Sequence, residues 1–146
     1  MKKLVLIGVV IAAVYFGGVR TGLIPGQQEA GSNVGSGDQA LVAAFENHQS
    51  NVQVQGSGTV TRILPDDNDG SRHQRFIVQV ASGQTLLVAH NIELADRVAA
   101  LDVGDRVEFY GEYEWNPRGG VLHWTHRDPR GIHADGWIEH EGHEYQ

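Results

Sequence analysis

Val52-Gln53-Val54-Gln55-Gly56-Ser57-Gly58-Thr59-Val60-Thr61-Arg62 is the stretch on which the fold turns. Val52, Val54, Gly56, Gly58, Val60 and Arg62 alternate with Gln53, Gln55, Ser57, Thr59 and Thr61. A period of two marks a strand with one buried face, because successive side chains point to opposite sides. Glycines at its middle predict a strand that bends strongly. Downstream, Pro65-Asp66-Asp67-Asn68-Asp69-Gly70 reads as a turn, Phe76–Ala81 as a second strand, Ser82-Gly83 as a tight turn and Thr85–Ala89 as a third strand. Glu93–Ala100 reads as a short helical insertion. Leu101-x-x-Gly104-Asp105 then leads into a strand over Arg106–Trp115, and Asn116-Pro117-Arg118-Gly119-Gly120 turns into Val121–Thr125.

The order is three strands, a short helix and two strands, the first of them curled. It predicts a mainly β domain: a five-stranded OB-like Greek-key barrel with a short helix between strands three and four. Upstream, Asp38 is positioned to cap a short helix whose apolar stripe is Leu41, Val42, Ala44 and Phe45 and which fades near His48.

The N-terminus is of another character. Lys2 and Lys3 precede sixteen uncharged residues, Leu4–Val19, the pattern of an export signal. A helix of that length spans about 24 Å against a hydrocarbon core of about 30 Å. Continuing to Ile24, with Arg20 snorkelling to the headgroups, makes a span feasible. Tyr15 and Phe16 stand where a small-x-small cleavage site belongs, which favours an uncleaved anchor over a removed signal. The expected organisation is an anchor helix or export segment at 1–24, a Gly/Ser-rich polar linker at 25–37, and a domain at 38–146. Residues 4–24 would engage the inner membrane. The lysines place the domain on the periplasmic side of a bacterial-type envelope, anchored or secreted.

Composition narrows the chemistry. The absence of cysteine excludes a disulfide framework, a thiolate zinc site, a cysteine nucleophile and a lipid-modified cysteine. Of eleven basic side chains three lie at Lys2, Lys3 and Arg20, so residues 21–146 carry eight basic against eighteen acidic ones, a net charge of −10. So acidic a domain is a poor passive binder of nucleic acid. An anionic ligand would need a local basic patch or a bound metal. Gly56-x-Gly58 precedes no helix and is no nucleotide loop, and Ser71 lacks a nucleophile-elbow context.

Five of the eight histidines fall between His123 and His143. His73 and His90, the latter beside Asn91, sit at apparent strand edges that could meet on one rim. On a strand, Trp124, His126 and Asp128 share one face, and His123 lies on the other. His126 with Asp128 is therefore the natural imidazole–carboxylate pair, with His133 returning from the loop and His90 from the third strand. This set, His126, Asp128, His133 and His90, suits a divalent zinc- or manganese-like ion. His126, Asp128 and His90 are also the candidate catalytic trio. Arg118, Arg127 and Arg130, with Trp115 and Trp124, could form a basic-aromatic surface, and Asn91 and His73 complete the candidate ligand-binding residues. A bland reading stands beside this one: Trp124 and Trp137 as core, Asp128-Pro129-Arg130-Gly131 as turn chemistry, and His140 to Tyr145 as a solvated tail.

The chain resembles a family of short uncharacterised bacterial exported proteins, a domain of unknown function. The resemblance rests on Arg72-His73-Gln74-Arg75-Phe76-Ile77, Leu87-Val88-Ala89-His90-Asn91-Ile92, Gly104-Asp105 with Gly111-Glu112-Tyr113, and Gly120 to His133 with its His-Trp-Thr-His-x-Asp-Pro-x-Gly-x-His motif. It covers roughly residues 41–145. It implies export and the domain's bounds, marks the histidine motif as a family feature, and supplies no reaction.

Three functions follow as alternatives: an envelope-tethered binding module for a polar or polyanionic ligand (nucleic acid or oligosaccharide), a metal-dependent phosphodiesterase or nuclease, or a structural envelope protein without a site.

Overall fold

The computed structural model describes residues 35–146, so the anchor at 1–24 and most of the linker lie outside the described residues. A helix, α1 (Ser36–Glu46), is followed by β1 (Val52–Asp67), β2 (His73–Gln79), β3 (Thr85–Asn91), β4 (Arg106–Glu114), β5 (Val121–His123), β6 (Trp137–His140) and β7 (His143–Tyr145). The result is mainly β, with one short helix and a seven-stranded sheet.

β1 belongs to two neighbours at once. Its first half, Val52 to Thr59, pairs antiparallel with β4, and from Thr59 onward it pairs with β2. The strand can change partners because its middle is glycine: a Cβ on Gly58 would come within 2.9 Å of the Gln79 carbonyl oxygen. β2 pairs with β3, β3 runs parallel to β5, and β5 pairs with β4. These pairings close a ring of five strands in the order β1-β2-β3-β5-β4. β6 adds to the free half of β4, and β7 to β6.

The period-two pattern fills the interior. Val54, Val60, Phe76, Val78, Leu86, Val88, Val107, Phe109, Tyr113, Leu122 and Ile138 are buried, and Leu41 and Ala44 of α1 complete the cluster. Asp38 does not cap α1. It lies in the first turn, and its carboxylate accepts the Ala81 backbone N–H at 3.0 Å, fastening the helix to the β2–β3 turn.

Four expectations need correction. β1 runs through Asp67, so the turn begins only at Asn68. Glu93–Ala100 is not a helix but a run of turns and extended backbone. The Ala95 N–H does reach the Asn91 carbonyl, but the backbone groups that follow are bound to buried side chains. Gln74 accepts the Val98 N–H at 2.9 Å and donates to the Val98 carbonyl at 3.1 Å, and Asp96 offers its carbonyl to His90. β5 stops at His123 because Trp124 takes a left-handed φ of 55°. Finally, the tail is no solvated end. It forms β6 and β7, buries His140, and seats the Tyr145 hydroxyl as acceptor for the Ala99 N–H at 3.2 Å.

Candidate functional site

The open end of the β2–β3 hairpin places His73 directly opposite Asn91. The segment from Trp124 to Gly136 folds back beside it, and close packing there demands a small residue. A Cβ on Gly136 would lie 1.9 Å from the Trp124 carbonyl oxygen. Between these segments lies a cavity of about 250 Å³ lined by Ser71, His73, Asn91, Leu94, His123, Trp124 and His126. Clefts of about 660 and 520 Å³ beside α1 are larger and contain no histidine, and one of about 440 Å³ is lined by Asp105, Glu108, Glu139, His140 and Glu141, with one histidine only.

Hydrogen bonds to carbonyl oxygens, which only accept, fix the tautomers of the neutral rings. Nδ1 of His73 lies 2.8 Å from the Ser71 carbonyl, Nδ1 of His126 lies 2.7 Å from that of Arg127, and Nδ1 of His133 lies 2.8 Å from that of Ala134. Each Nδ1 therefore carries the proton, and each Nε2 keeps its lone pair. His90 is the reverse case. Its Nε2–H donates to the Asp96 carbonyl at 2.9 Å, and its Nδ1 accepts from the Thr125 hydroxyl at 2.8 Å. Both nitrogens are engaged and the ring is fully buried. Burial pushes its pKa down to about 4, helped by the nearby His126, His73 and Arg97 and opposed by the Asp96 carbonyl.

Asp128 is also committed to the backbone. One carboxylate oxygen accepts the Arg130 N–H at 2.9 Å, and the other accepts those of Ile132 and His133 at 3.0 and 2.7 Å. These N–H groups, that of His133 foremost, hold its pKa down at about 2. With β5 ending at His123, the alternation that put His126 and Asp128 on one face does not apply. The Nδ1 of His126 meets the Arg127 carbonyl, not Asp128. The four residues expected to hold a metal (His126, Asp128, His133 and His90) therefore divide: His90 and Asp128 brace the loops, His126 faces the cavity, and His133 lies over β4.

There His133 meets residues that the pattern of single strands did not flag. Gln53, Glu112 and His123 stand opposite one another in a row across β1, β4 and β5. Nε2 of His133 lies 3.2 Å from Glu112 Oε2. Nε2 of His123 lies 3.5 Å from that same oxygen and 3.2 Å from Glu114 Oε1. The His133 ring stacks on Trp124 with centroids 3.9 Å apart and planes 10° from parallel. Strand alternation does put Glu112 and Glu114 on the face of β4 away from the core, but the register joining them to His123 is a tertiary fact.

The arginines do not gather. Arg118 lies at the β4–β5 turn, where its carbonyl accepts the Thr85 hydroxyl. The length of β3, about 20 Å over the steps from Thr85 to Asn91, separates that end from Asn91. Arg127 and Arg130 are exposed on the loop and line no part of the cavity. Trp115 packs against α1, its Nε1–H donating to the Phe45 carbonyl at 3.1 Å. Of the residues singled out from sequence, His73, Asn91, Trp124 and His126 line one cavity; His123, expected on the opposite face, lines it too because the strand ends before Trp124, and Glu112 and Gln53 were not singled out.

A family profile matches residues 28–146, the whole described domain and a few residues ahead of it. The chain belongs to the family described as Protein of unknown function (DUF3465). The DUF3465 match begins inside the stretch read as linker and runs to the last residue, taking in both histidine groups. No curated protein matches the chain.

The pKa of His90 carries a consequence for stability. The folded value of about 4 lies below the unfolded value of about 6.5, so below pH 6.5 the unfolded chain takes up a proton that the folded chain refuses. The stabilisation is complete above that pH, declines as pH falls, and is lost once the folded pKa is passed. Across this window His90 removes about 3 kcal/mol. Urea denaturation should show the margin of wild type over His90→Gln narrowing by that order between pH 7 and 4. A constant margin would mean that His90 is not held neutral.

Proposed function

We propose that the domain is an OB-like binding module, a five-stranded Greek-key barrel that holds a polar, hydroxyl-rich ligand of the oligosaccharide class in the cavity between His73 and His126. One observation carries the reading: two imidazoles from different parts of the chain, each fixed by a backbone carbonyl at Nδ1, line one cavity. Their Nε2 atoms are acceptors suited to hydroxyl donors. Asn91 accepts the Glu93 N–H through Oδ1 at 2.9 Å, leaving its amide N–H groups to donate. Closure through one parallel β3–β5 pair supports the OB reading, and OB domains bind oligonucleotides and oligosaccharides on the face of strands two and three.

A nucleic-acid ligand is disfavoured by the net charge of −10 on residues 21–146 and by the distance of Arg118 from the cavity. The nuclease reading loses its support because His90 and Asp128, two of its three expected residues, are committed to the backbone and to Thr125. In this proposal residues 4–24 tether the module to the inner membrane, facing the periplasm. Lys2 and Lys3 ahead of an uncharged run support that orientation.

Tryptophan fluorescence of the Trp115→Phe, Trp137→Phe variant, in which Trp124 is the remaining indole, provides the test. Titration of the full chain with a panel of neutral oligosaccharides should give a saturable change for at least one member, abolished by His126→Ala. Saturable binding of single-stranded oligonucleotides that weakens steeply with salt, and no response to any sugar, would replace this reading with an electrostatic one. The orientation has its own check. A reporter active only outside the cytoplasm should work when fused after Gln146, and activity of a cytoplasm-only reporter would contradict it.

A further inference from the structure

We propose that His133, Glu112 and His123 form a proton-operated clasp, which holds the segment from Trp124 to Gly136 against β4 when the imidazoles are charged and releases it when they are neutral. The clasp gives the cavity of the binding module a regulated wall, and to that extent rests on the binding reading. Its first support is what surrounds the His133 ring. Nδ1 lies 2.8 Å from the Ala134 carbonyl and Nε2 lies 3.2 Å from Glu112 Oε2, so both nitrogens face acceptors. A neutral imidazole has one N–H and answers only one of them, whereas the imidazolium has two and answers both. The ring also stacks on Trp124 with centroids 3.9 Å apart, and an indole face favours a cation over it.

The second support is the charge around Glu112. Its Oε2 lies 3.5 Å from His123 Nε2, which in turn lies 3.2 Å from Glu114 Oε1. That nitrogen of His123 is buried and makes no hydrogen bond. Its hold on the two carboxylates is therefore the attraction of opposite charges, and exists only in the protonated ring. Among the described residues, the ion-pair contacts of Glu112 and Glu114 are with histidines alone. Two carboxylates on one face of β4 thus depend for neutralisation on groups whose charge changes between about pH 5 and 8. Gln53, opposite Glu112 on β1, is uncharged, and its amide lies 3.5 Å from His133 Nε2. On the side of the loop, Asp128 and Asp135 are committed to backbone N–H groups, and the His126 ring lies 5.2 Å from that of Trp124.

Position is the third support. His123 and Trp124 line the cavity, so what holds them shapes its wall. The segment's other fastenings keep their charge across that range. Asp128, held down at about 2, stays a carboxylate, and His90, held down at about 4, stays neutral and keeps its bond to Thr125. Of these fastenings only the clasp responds. Mild acid closes it, and mild alkali frees the His133 end while the Thr125 end stays held.

Amide hydrogen exchange of the full chain tests this, followed by mass spectrometry at about pH 5.5 and about pH 8, on either side of imidazole titration, and corrected for intrinsic rates. Opening of residues 126–136 should be about fivefold more frequent at the higher pH, the scale of an ion pair near the surface, with β2 and β3 as internal reference. Glu112→Gln, which keeps the side chain's shape, and His133→Gln should each abolish the difference, leaving the segment equally open at both pH values. His143→Ala, on exposed β7, should retain it. Equal opening at both pH values in the wild type would overturn the proposal. So would a pH difference that survives both Glu112→Gln and His133→Gln. No ligand enters the measurement, so failure of every sugar to bind would remove the binding reading and leave the clasp standing on its own result.

Discussion

The two hydrogen bonds of the His90 imidazole join this fold's irregular parts to its regular one. Nε2 holds the Asp96 carbonyl, in the chain between β3 and β4, and Nδ1 holds the Thr125 hydroxyl, in the chain after β5. Neither segment forms a helix or strand of its own, so buried side chains must answer its polar groups. One neutral ring serves both, and it can do so only while uncharged, since a protonated Nδ1 could not accept from Thr125. The loop that carries His126, Asp128 and His133 starts from that fixed point. Asp128 then closes the loop on itself by accepting three backbone N–H groups.

The consequence is a division of labour among residues of the same type. His90 and His140 are buried and bonded to their neighbours within the domain. His73 and His126 are each held at Nδ1 by a backbone carbonyl and line one cavity. His123 and His133 flank a carboxylate. Composition alone does not separate these roles. What separates them is whether each ring's second nitrogen meets a protein atom, and of what kind.

Much of the fold was legible. Alternation gave β1 through β4 because each strand has one face on a shared core, and glycine in β1 announced its bend. The parts that failed share a cause. Glu93–Ala100 has helical composition, yet Gln74 and His90 take its backbone groups, and no local pattern reveals a buried glutamine's partner. The strand expected over Val121–Thr125 ends early because Trp124 adopts a left-handed backbone, which its identity does not announce. That single conformation undid the shared face of His126 and Asp128. His73, Asn91 and Trp124 line one cavity, as an expectation that strand ends converge on one rim implies. Glu112 was missed because its meaning comes only from the strands on either side of it.

Imidazole tautomers fixed by the backbone underlie these separate roles, and they can be observed directly. Long-range proton–nitrogen correlation spectra of the histidine side chains, recorded on the full chain at neutral pH, report which ring nitrogen carries the proton. The structure predicts His73 and His126 protonated at Nδ1, and His90 protonated at Nε2. His126 protonated at Nε2, or His90 doubly protonated, would contradict it.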